Sequence, residues 1–195
     1  MAAFAGADAP RQRQDSMKDW NVIITIFQDG FRCAIRALHK LAPVERSPYH
    51  NVLLMAVEDP IALLEAIERQ TEIDPALYDA ISRVAPAMRS FEFHSTEDFL
   101  AGAKQIALEW LPHLAGRSFH VRLHRRGSRQ NLRSPDVERN LGEALLEALK
   151  EAGTPGTLSF SDPDAVIAID TVDEHAGIGI WTREDLTRHH LLRPD

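Results

Sequence analysis

The sequence has one cysteine, Cys33, and no long run of apolar residues. A single cysteine cannot close an intramolecular disulfide or build a thiolate metal site, which excludes the disulfide-stapled secreted class and indicates a reducing compartment. No stretch approaches the ~18 consecutive apolar residues that cross a bilayer, and the first residues lack the apolar core of a secretory signal. The sequence therefore predicts a cytoplasmic protein with no membrane partner.

Motifs for nucleotide cofactors are also missing. Gly177-Ile-Gly179 lacks a third glycine at position 182, which is a threonine, and it lies in a strand-like segment instead of before a helix. No phosphate-binding loop of the P-loop type is present. We therefore expect no cofactor and no metal site, and no catalytic residue is predicted.

Composition places the chain among folded globular proteins. Hydrophobic residues make up 44% and charged residues 26% of the 195 positions, which excludes the fibrous and predominantly disordered classes. This length accommodates one domain or two subdomains of roughly 80–90 residues each. The net charge of −7 argues against general binding of polyanions.

Strand-like and helix-like segments alternate through the first half. The run WNVIITIF reads as a strand and FRCAIRALHKL as a helix, and a second strand follows in NVLLMAV. Asp59-Pro60 and Asp74-Pro75 each combine an N-cap with a first-turn proline. A third extended segment is expected at 88–93. This alternation predicts a ferredoxin-like domain over 18–94, after a flexible tail at 1–17.

The second half predicts another mixed α/β subdomain, over 95–183. Ser95 and Asp98 resemble a capping box at the start of a long helix, and Ser134-Pro135 begins a second helix. Two apolar strands close the subdomain, and residues 184–195 read as a polar C-terminal tail. The expected fold class is α+β or α/β, with a ferredoxin-like subdomain followed by this mixed subdomain.

Positive charge is concentrated between residues 117 and 139. This segment holds seven arginines, no lysine and two acids, a formal charge of +5, so the rest of the chain carries −12. Arginine without lysine favours bidentate contacts with phosphate. In a strand from residue 118, alternation would direct His120, Arg122 and His124 to an outward face. A solvated basic edge without a ligand explains the same charge pattern about as well.

Four segments carry a family resemblance: FHVRLHRRGSR at 119–129, SPDVERNLGEALLEAL at 134–149, LSFSDPDAVIAID at 158–170 and AGIGIW at 176–181. Their order and spacing resemble the THUMP domain, an RNA-binding module of tRNA-modifying systems. The Arg-x-x-Pro pattern in SRVAPAMRSFEF at 82–93 is similar to the strand that ends the ferredoxin-like domain preceding THUMP domains. The resemblance implies a tRNA-binding protein in which both subdomains hold the acceptor region and the 3′-CCA end.

The resemblance is strongest to stand-alone THUMP adaptors of tRNA N4-acetylcytidine formation, since the sequence stops soon after the last strand. It implies that the protein is not an enzyme and that it presents tRNA to a separate acetyltransferase. The RNA-binding residues that we expect, from the matched basic segment and from stacking on a histidine, are Arg122, His124, Arg125, Arg126, Arg129 and Arg133.

Two other functions compete with RNA binding. In one, the protein is an interaction module that never contacts RNA, and its arginines would then point to separate faces. In the other, Asp162, Asp164 and Asp170 gather into a metal-dependent or acid-base active site, although turn chemistry accounts for most of these acids.

Overall fold

The computed structural model describes residues 19–127 and 132–194, and they form two subdomains, each built on one β-sheet. The first subdomain contains β1 Val22–Ile26, α1 Phe31–Leu38, β2 Val44–Arg46, β3 Val52–Met55, α2 Pro60–Ile73, α3 Pro75–Ala80 and β4 Ile81–Pro86. The second contains β5 Arg89–Glu92, α4 Thr96–Glu109, α5 Leu111–Leu114, β6 Ser118–Arg126, α6 Ser134–Glu151, β7 Thr157–Leu158, β8 Ala165–Val172 and β9 His175–Thr182, followed by α7 Arg183–Arg188.

The first sheet has the strand order β2-β3-β1-β4, and its three neighbouring pairs of strands are all antiparallel. With α1 between β1 and β2, and α2 and α3 between β3 and β4, the elements follow the order β-α-β-β-α-β, an order that ferredoxin-like units also have. The predicted helix starts are confirmed, because the side chain of Asp59 accepts from the Ile61 and Ala62 amides. Asp74 does the same for the amide of Ala76.

The second sheet has the order β5-β9-β8-β6-β7 and is mixed. β6 runs parallel to β7 and β8, whereas β9 is antiparallel to both β8 and β5. Helices α4 and α6 cover one face, where Phe119, Val121 and Leu123 of β6 join the core. The α/β fold class predicted from the sequence is confirmed.

The joint between the subdomains differs from the predicted one. The last strand of the first sheet is β4, at 81–86, and the extended segment expected there, 88–93, contains β5, which pairs with β9 in the second sheet. Only Ala87 and Met88 separate the two strands. The strand pairing is long-range, so the local pattern of apolar residues could not reveal which sheet each strand joins.

The C-terminal segment is also not a free polar tail. After α7, Leu191 and Leu192 are buried in the core of the first subdomain, and the amide of Val84 in β4 donates to the carbonyl of Leu191. Buried Glu68 of α2 accepts from the Leu191 amide and lies 2.8 Å from Nδ1 of His189. The chain thus returns to the first subdomain after completing the second.

None of the described helices is long and apolar enough to cross a membrane.

Candidate nucleic-acid interface

Three of the predicted arginines, Arg125, Arg126 and Arg133, lie where β6 ends and α6 begins. We call this region the β6 end and define it as residues 124–127 and 133–139. Arg133 is the N-cap residue of α6, and the helix starts at Ser134. If Ser134 were the cap, the helix would start one residue later. Arg129 lies outside the described residues.

Arg125 and Arg133 are exposed at the β6 end. Arg133 is 74% exposed and lies 3.5 Å from Asp136, and Arg139, 66% exposed, lies 3.6 Å from the same carboxylate. Exposed pairs of this kind contribute little and exchange readily with other anions. No ion pair joins Arg125 to another described residue. This surface can therefore offer cations to an external phosphate.

Arg126 has a different role, because its guanidinium group forms its hydrogen bonds with other residues of the protein. Its Nη1 lies 2.7 Å from Oδ1 of Asp170, and its Nη2 donates to Thr25 of β1. Asp170 is 5% exposed and also accepts two bonds from Arg83 of β4, at 2.8 and 2.7 Å. Burial alone would raise the pKa of Asp170, but the charge and hydrogen bonds of Arg83, with the charge of Arg126, lower it to about 2. Arg126 therefore joins the two subdomains.

His124 is half-buried under the C-terminal segment. Its Nε2 lies 2.6 Å from the carbonyl oxygen of Pro194, so this nitrogen carries the proton and donates. Burial, followed by the charge of Arg83, lowers the pKa of His124 below its ordinary value. The imidazole is thus neutral near pH 7 and adds no positive charge to the surface.

The outward basic face expected for β6 is mostly covered in the structure. His120 is 2% exposed, and Arg122 is half-buried beside it. Alternation correctly separated the two faces of the strand. It could not show that the second face packs against the first subdomain and the C-terminal segment, because both lie far away in the sequence.

One residue that the sequence reasoning missed is Phe160, in the turn after β7. Its ring is 73% exposed and stacks on His120, with 5.9 Å between centroids and 28° between planes. An exposed aromatic ring offers a stacking surface for an unpaired base. The signal was a phenylalanine flanked by two serines in an otherwise polar turn.

The three carboxylates of the enzyme alternative do not converge. Asp164 accepts from the Ser118 amide and hydroxyl, and these bonds, the amide's first, lower its pKa. Asp162 and Asp164 both pair with Arg183, while Asp170 lies six residues along β8, about 20 Å away at ~3.3 Å per residue. Within 19–127 and 132–194, no group of three or more histidine, cysteine, aspartate or glutamate residues is placed to hold a metal ion.

The Gly177-Ile-Gly179 motif has a packing role. A Cβ on Gly177 would lie 2.7 Å from Ala87 and 2.8 Å from the ring of Trp20, and one on Gly179 would lie 3.0 Å from Trp181. Because the two glycines have no side chain, Trp20 and Ala87 can pack closely against β9 at Gly177, and the Trp181 ring can do so at Gly179.

The family model of the THUMP domain matches residues 93–180. This segment of the chain is therefore similar to a THUMP domain. The matched residues begin after β5 and end in β9, so the basic strand β6 and helix α6 both lie within the matched segment. No curated protein sequence matches the chain.

Solved structures share the fold of both subdomains. The chain is similar to PH1313 from Pyrococcus horikoshii, with 15% identity and a TM-score of 0.57, covering 83% of this chain and 54% of that one. It is similar to TrmN from Thermus thermophilus, with 25% identity and a TM-score of 0.54, covering 82% and 44%. It also resembles a 4-thiouridine synthetase solved with RNA and ATP, with 14% identity and a TM-score of 0.51, covering 83% and 41%.

These comparisons correct the expectation that the protein is not an enzyme. The same arrangement of subdomains occurs within a 4-thiouridine synthetase, which is an enzyme. The chain spans only 41–54% of the three chains that it resembles. The comparisons therefore allow a catalytic function for this protein.

Proposed function

We propose that the chain binds tRNA at its acceptor region and positions the 3′ end for a modifying active site. The observation that carries this proposal is the match to the THUMP domain at 93–180, with exposed Arg125 at the end of the basic strand β6 and exposed Arg133 at the start of α6. The solved 4-thiouridine synthetase, part of whose fold the chain shares, was crystallised with RNA.

The chemistry of the β6 end suits phosphate groups. Guanidinium groups bind phosphate oxygens through paired donors, and the first amides of the 18-residue helix α6 favour an anion nearby. Phe160 lies outside the β6 end, beside His120, which is four residues or ~13 Å from His124 along the strand, and supplies an exposed ring for stacking of an unpaired base. Arg125, Arg133 and Arg122 remain the proposed RNA-binding arginines, whereas Arg126 and His124 act by holding the site in place.

A titration of the full chain with tRNA, followed by fluorescence anisotropy, tests RNA binding. We compare Arg125→Gln with Arg69→Gln, since Arg69 is an exposed arginine of α2 and the change in net charge is identical. Arg125→Gln should weaken binding severalfold more than the control and lower the slope of log affinity against log salt by roughly 0.7–0.9. Binding should also weaken when the tRNA lacks its CCA end. Equal weak binding by all three proteins at low salt would refute the proposal.

The identity of the active site is a separate question. The resemblance to stand-alone THUMP adaptors makes an N4-acetylcytidine acetyltransferase the first candidate for the enzyme partner. Mass spectrometry of tRNA nucleosides from a strain without this protein tests that part. Loss of N4-acetylcytidine supports the acetyltransferase, loss of another modified nucleoside indicates a different modifying chemistry, and an unchanged profile contradicts a role in modification.

A further inference from the structure

One corner of the first subdomain exposes apolar side chains next to acids. Of the four large apolar side chains that are exposed among the described residues, three lie in this corner: Phe27 at 49%, Ile73 at 78% and Tyr78 at 48%. Single apolar residues scattered over a surface are ordinary, whereas a cluster of them marks a site of interaction. We define the α2–α3 corner as residues 27–29 and 72–79.

Backbone hydrogen bonds hold the two segments of the corner together. The amide of Phe27, after the end of β1, donates to the carbonyl of Ala80 at the end of α3, at 2.9 Å. Near the start of α3, the amide of Tyr78 donates to the carbonyl of Asp74, and Asp74 directly follows Ile73, the last residue of α2. The three exposed apolar residues therefore lie around α3, within one corner of the subdomain.

The core of the first subdomain does not use these apolar side chains. Thr71 of α2 is buried, and a residue two positions later in a helix points to nearly the opposite side, at about 100° per residue, so Ile73 faces solvent. Tyr78 packs against the ring of His190 in the C-terminal segment, with 5.8 Å between the ring centroids, and about half of its surface stays uncovered. The apolar surface of Ile73 and Tyr78 is therefore available to a partner.

The charge of the α2–α3 corner is negative. Asp29, Glu72 and Asp79 are exposed, and no hydrogen bond or ion pair joins their side chains to another of the described residues. No lysine or arginine occurs between 70 and 82, and Arg32, three residues after Asp29, forms no ion pair with it. The three carboxylates therefore remain free to pair with cations of another molecule.

We propose that the α2–α3 corner docks a partner protein, through a segment of that partner that carries lysine or arginine next to apolar side chains. The apolar side chains of the partner cover Ile73 and Tyr78, and its cations pair with the acids around them, which is the usual division between the centre and the rim of an interface. Tyrosine is among the residue types that most often dominate the free energy of binding. Nucleic acid does not fit this corner, because the carboxylates repel phosphate groups.

The α2–α3 corner begins close to the β6 end. Thr25 of β1, whose hydroxyl accepts from Arg126, lies two residues before Phe27, about 7 Å along the strand at ~3.3 Å per residue. A partner on the corner is therefore held near the basic segment of the second subdomain. Docking does not depend on RNA binding, since no residue of the β6 end takes part in it.

Photo-cross-linking of the full chain, in cells that naturally contain it, tests which molecule occupies the corner. Ile73→p-benzoylphenylalanine places the reactive group in the corner, and Phe160→p-benzoylphenylalanine places it at a similarly exposed position of the second subdomain as a control. At position 73, mass spectrometry should identify a cross-linked peptide from another protein, with lysine or arginine beside apolar residues. The yield should fall severalfold when Glu72→Gln and Asp79→Asn are added to the same chain.

Several outcomes would overturn the proposal. They are the absence of a protein cross-link at position 73, a cross-link there to RNA or to a second copy of this chain, and a cross-linked peptide without basic residues. The same partner peptide captured with equal yield at position 160 would also overturn it.

The cross-linked protein, once purified, serves as the probe for the apolar contacts. Ile73→Ser should weaken its binding to the full chain about tenfold, whereas Phe160→Ser, which removes a similarly exposed side chain, should leave it unchanged. Equal losses for the two variants would contradict docking at the corner. Circular dichroism and thermal unfolding verify that both variants fold.

A matched pair of charge variants tests the role of the acids. Glu72→Gln with Asp79→Asn should weaken binding of the same probe severalfold and reduce its dependence on salt. Glu143→Gln with Glu147→Gln removes two exposed acids of α6 and changes the net charge equally, and it should have no such effect. Asp74 is left unchanged, because it caps α3. Equal effects of the two double variants would show that only the overall charge matters and would overturn the proposed pairing.

The docking proposal and the proposed function fail in different ways. If Ile73→Ser loses the partner protein but binds tRNA as the unmodified protein does, docking and RNA binding are separate. If the unmodified protein binds the partner but no tRNA, the proposed function is wrong and the docking site stands. If it binds tRNA and no protein cross-links at position 73, only the docking site is wrong.

Discussion

Arg83 of the first subdomain and Asp170 of the second form a two-point ion pair, with Nη–Oδ distances of 2.8 and 2.7 Å. Both side chains are about nine-tenths buried. Arg126 adds a third bond to the same carboxylate. One buried anion is therefore shared by two cations from different subdomains, and the Arg-x-x-Pro arginine that marked the family resemblance turns out to be one of them.

Asp170→Asn should destabilise the protein strongly. The amide leaves two buried guanidinium groups without a counter-charge, and breaking a buried pair of this kind costs about 3–5 kcal/mol. Urea unfolding at pH 7 measures this difference. Glu65→Gln is the control, since Glu65 pairs with two exposed arginines and should lose no more than about 1 kcal/mol. Similar losses in the free energy of unfolding for the two variants would contradict a stabilising role for Asp170.

The stability advantage of Asp170 should disappear in acid. The pKa of this carboxyl is about 2 in the folded protein and near ~3.9 in an unfolded chain. A lowered pKa contributes stability above the unfolded value and loses it as the pH falls through the folded value. Unfolding curves of the native protein and Asp170→Asn should therefore converge between about pH 4 and pH 2. A constant gap down to pH 2 would contradict this.

The hydroxyl of Tyr49 should lose its proton only at high pH. Burial, followed by the hydrogen bond to Asp173 and its negative charge, raises the pKa of Tyr49 to about 12. Ultraviolet absorbance of tyrosinate measures the titration, and subtraction of the Tyr49→Phe curve isolates this residue, because the chain has two tyrosines. Asp173→Asn should move the ionisation of Tyr49 to lower pH. The stabilising effect of the raised pKa holds below about pH 10 and is lost as the pH rises through 12.

Gly177→Ala should destabilise the joint between the subdomains by about 1–3 kcal/mol, since the added methyl group overpacks a closed core. It would lie 2.7 Å from Ala87 and 2.8 Å from the Trp20 ring, and neither group can move freely. Gly142→Ala is the matched comparison. Its Cβ would meet only the two Leu158 methyl groups, at 3.3 and 3.5 Å, and alanine is favoured over glycine inside a helix by up to ~1 kcal/mol. Thermal unfolding should rank Gly177→Ala well below Gly142→Ala.

Local signals in the sequence predicted the elements that depend on nearby residues. Asp59-Pro60 and Asp74-Pro75 fixed two helix starts because the cap and the amides that it binds lie within three positions. β2 was missed, since only Val44 of its three residues is buried. Leu191 and Leu192 were read as part of a tail, because their partners in α2 and β4 lie more than 100 residues earlier.

The candidate site shows the same limit. Counting charge along consecutive residues found the arginines of 117–139 but could not tell that Arg126 points to Asp170. Phe160 was passed over although two serines flank it in a polar turn, because that pattern does not show whether the ring is exposed, which the structure does.

The return of the chain to the first subdomain after α7 ties the two subdomains together in two places. Glu68 holds His189 and the Leu191 amide, and Asp170 holds Arg83 and Arg126. A ligand that contacts both subdomains would therefore meet them already joined, and no binding free energy would be spent on bringing them together.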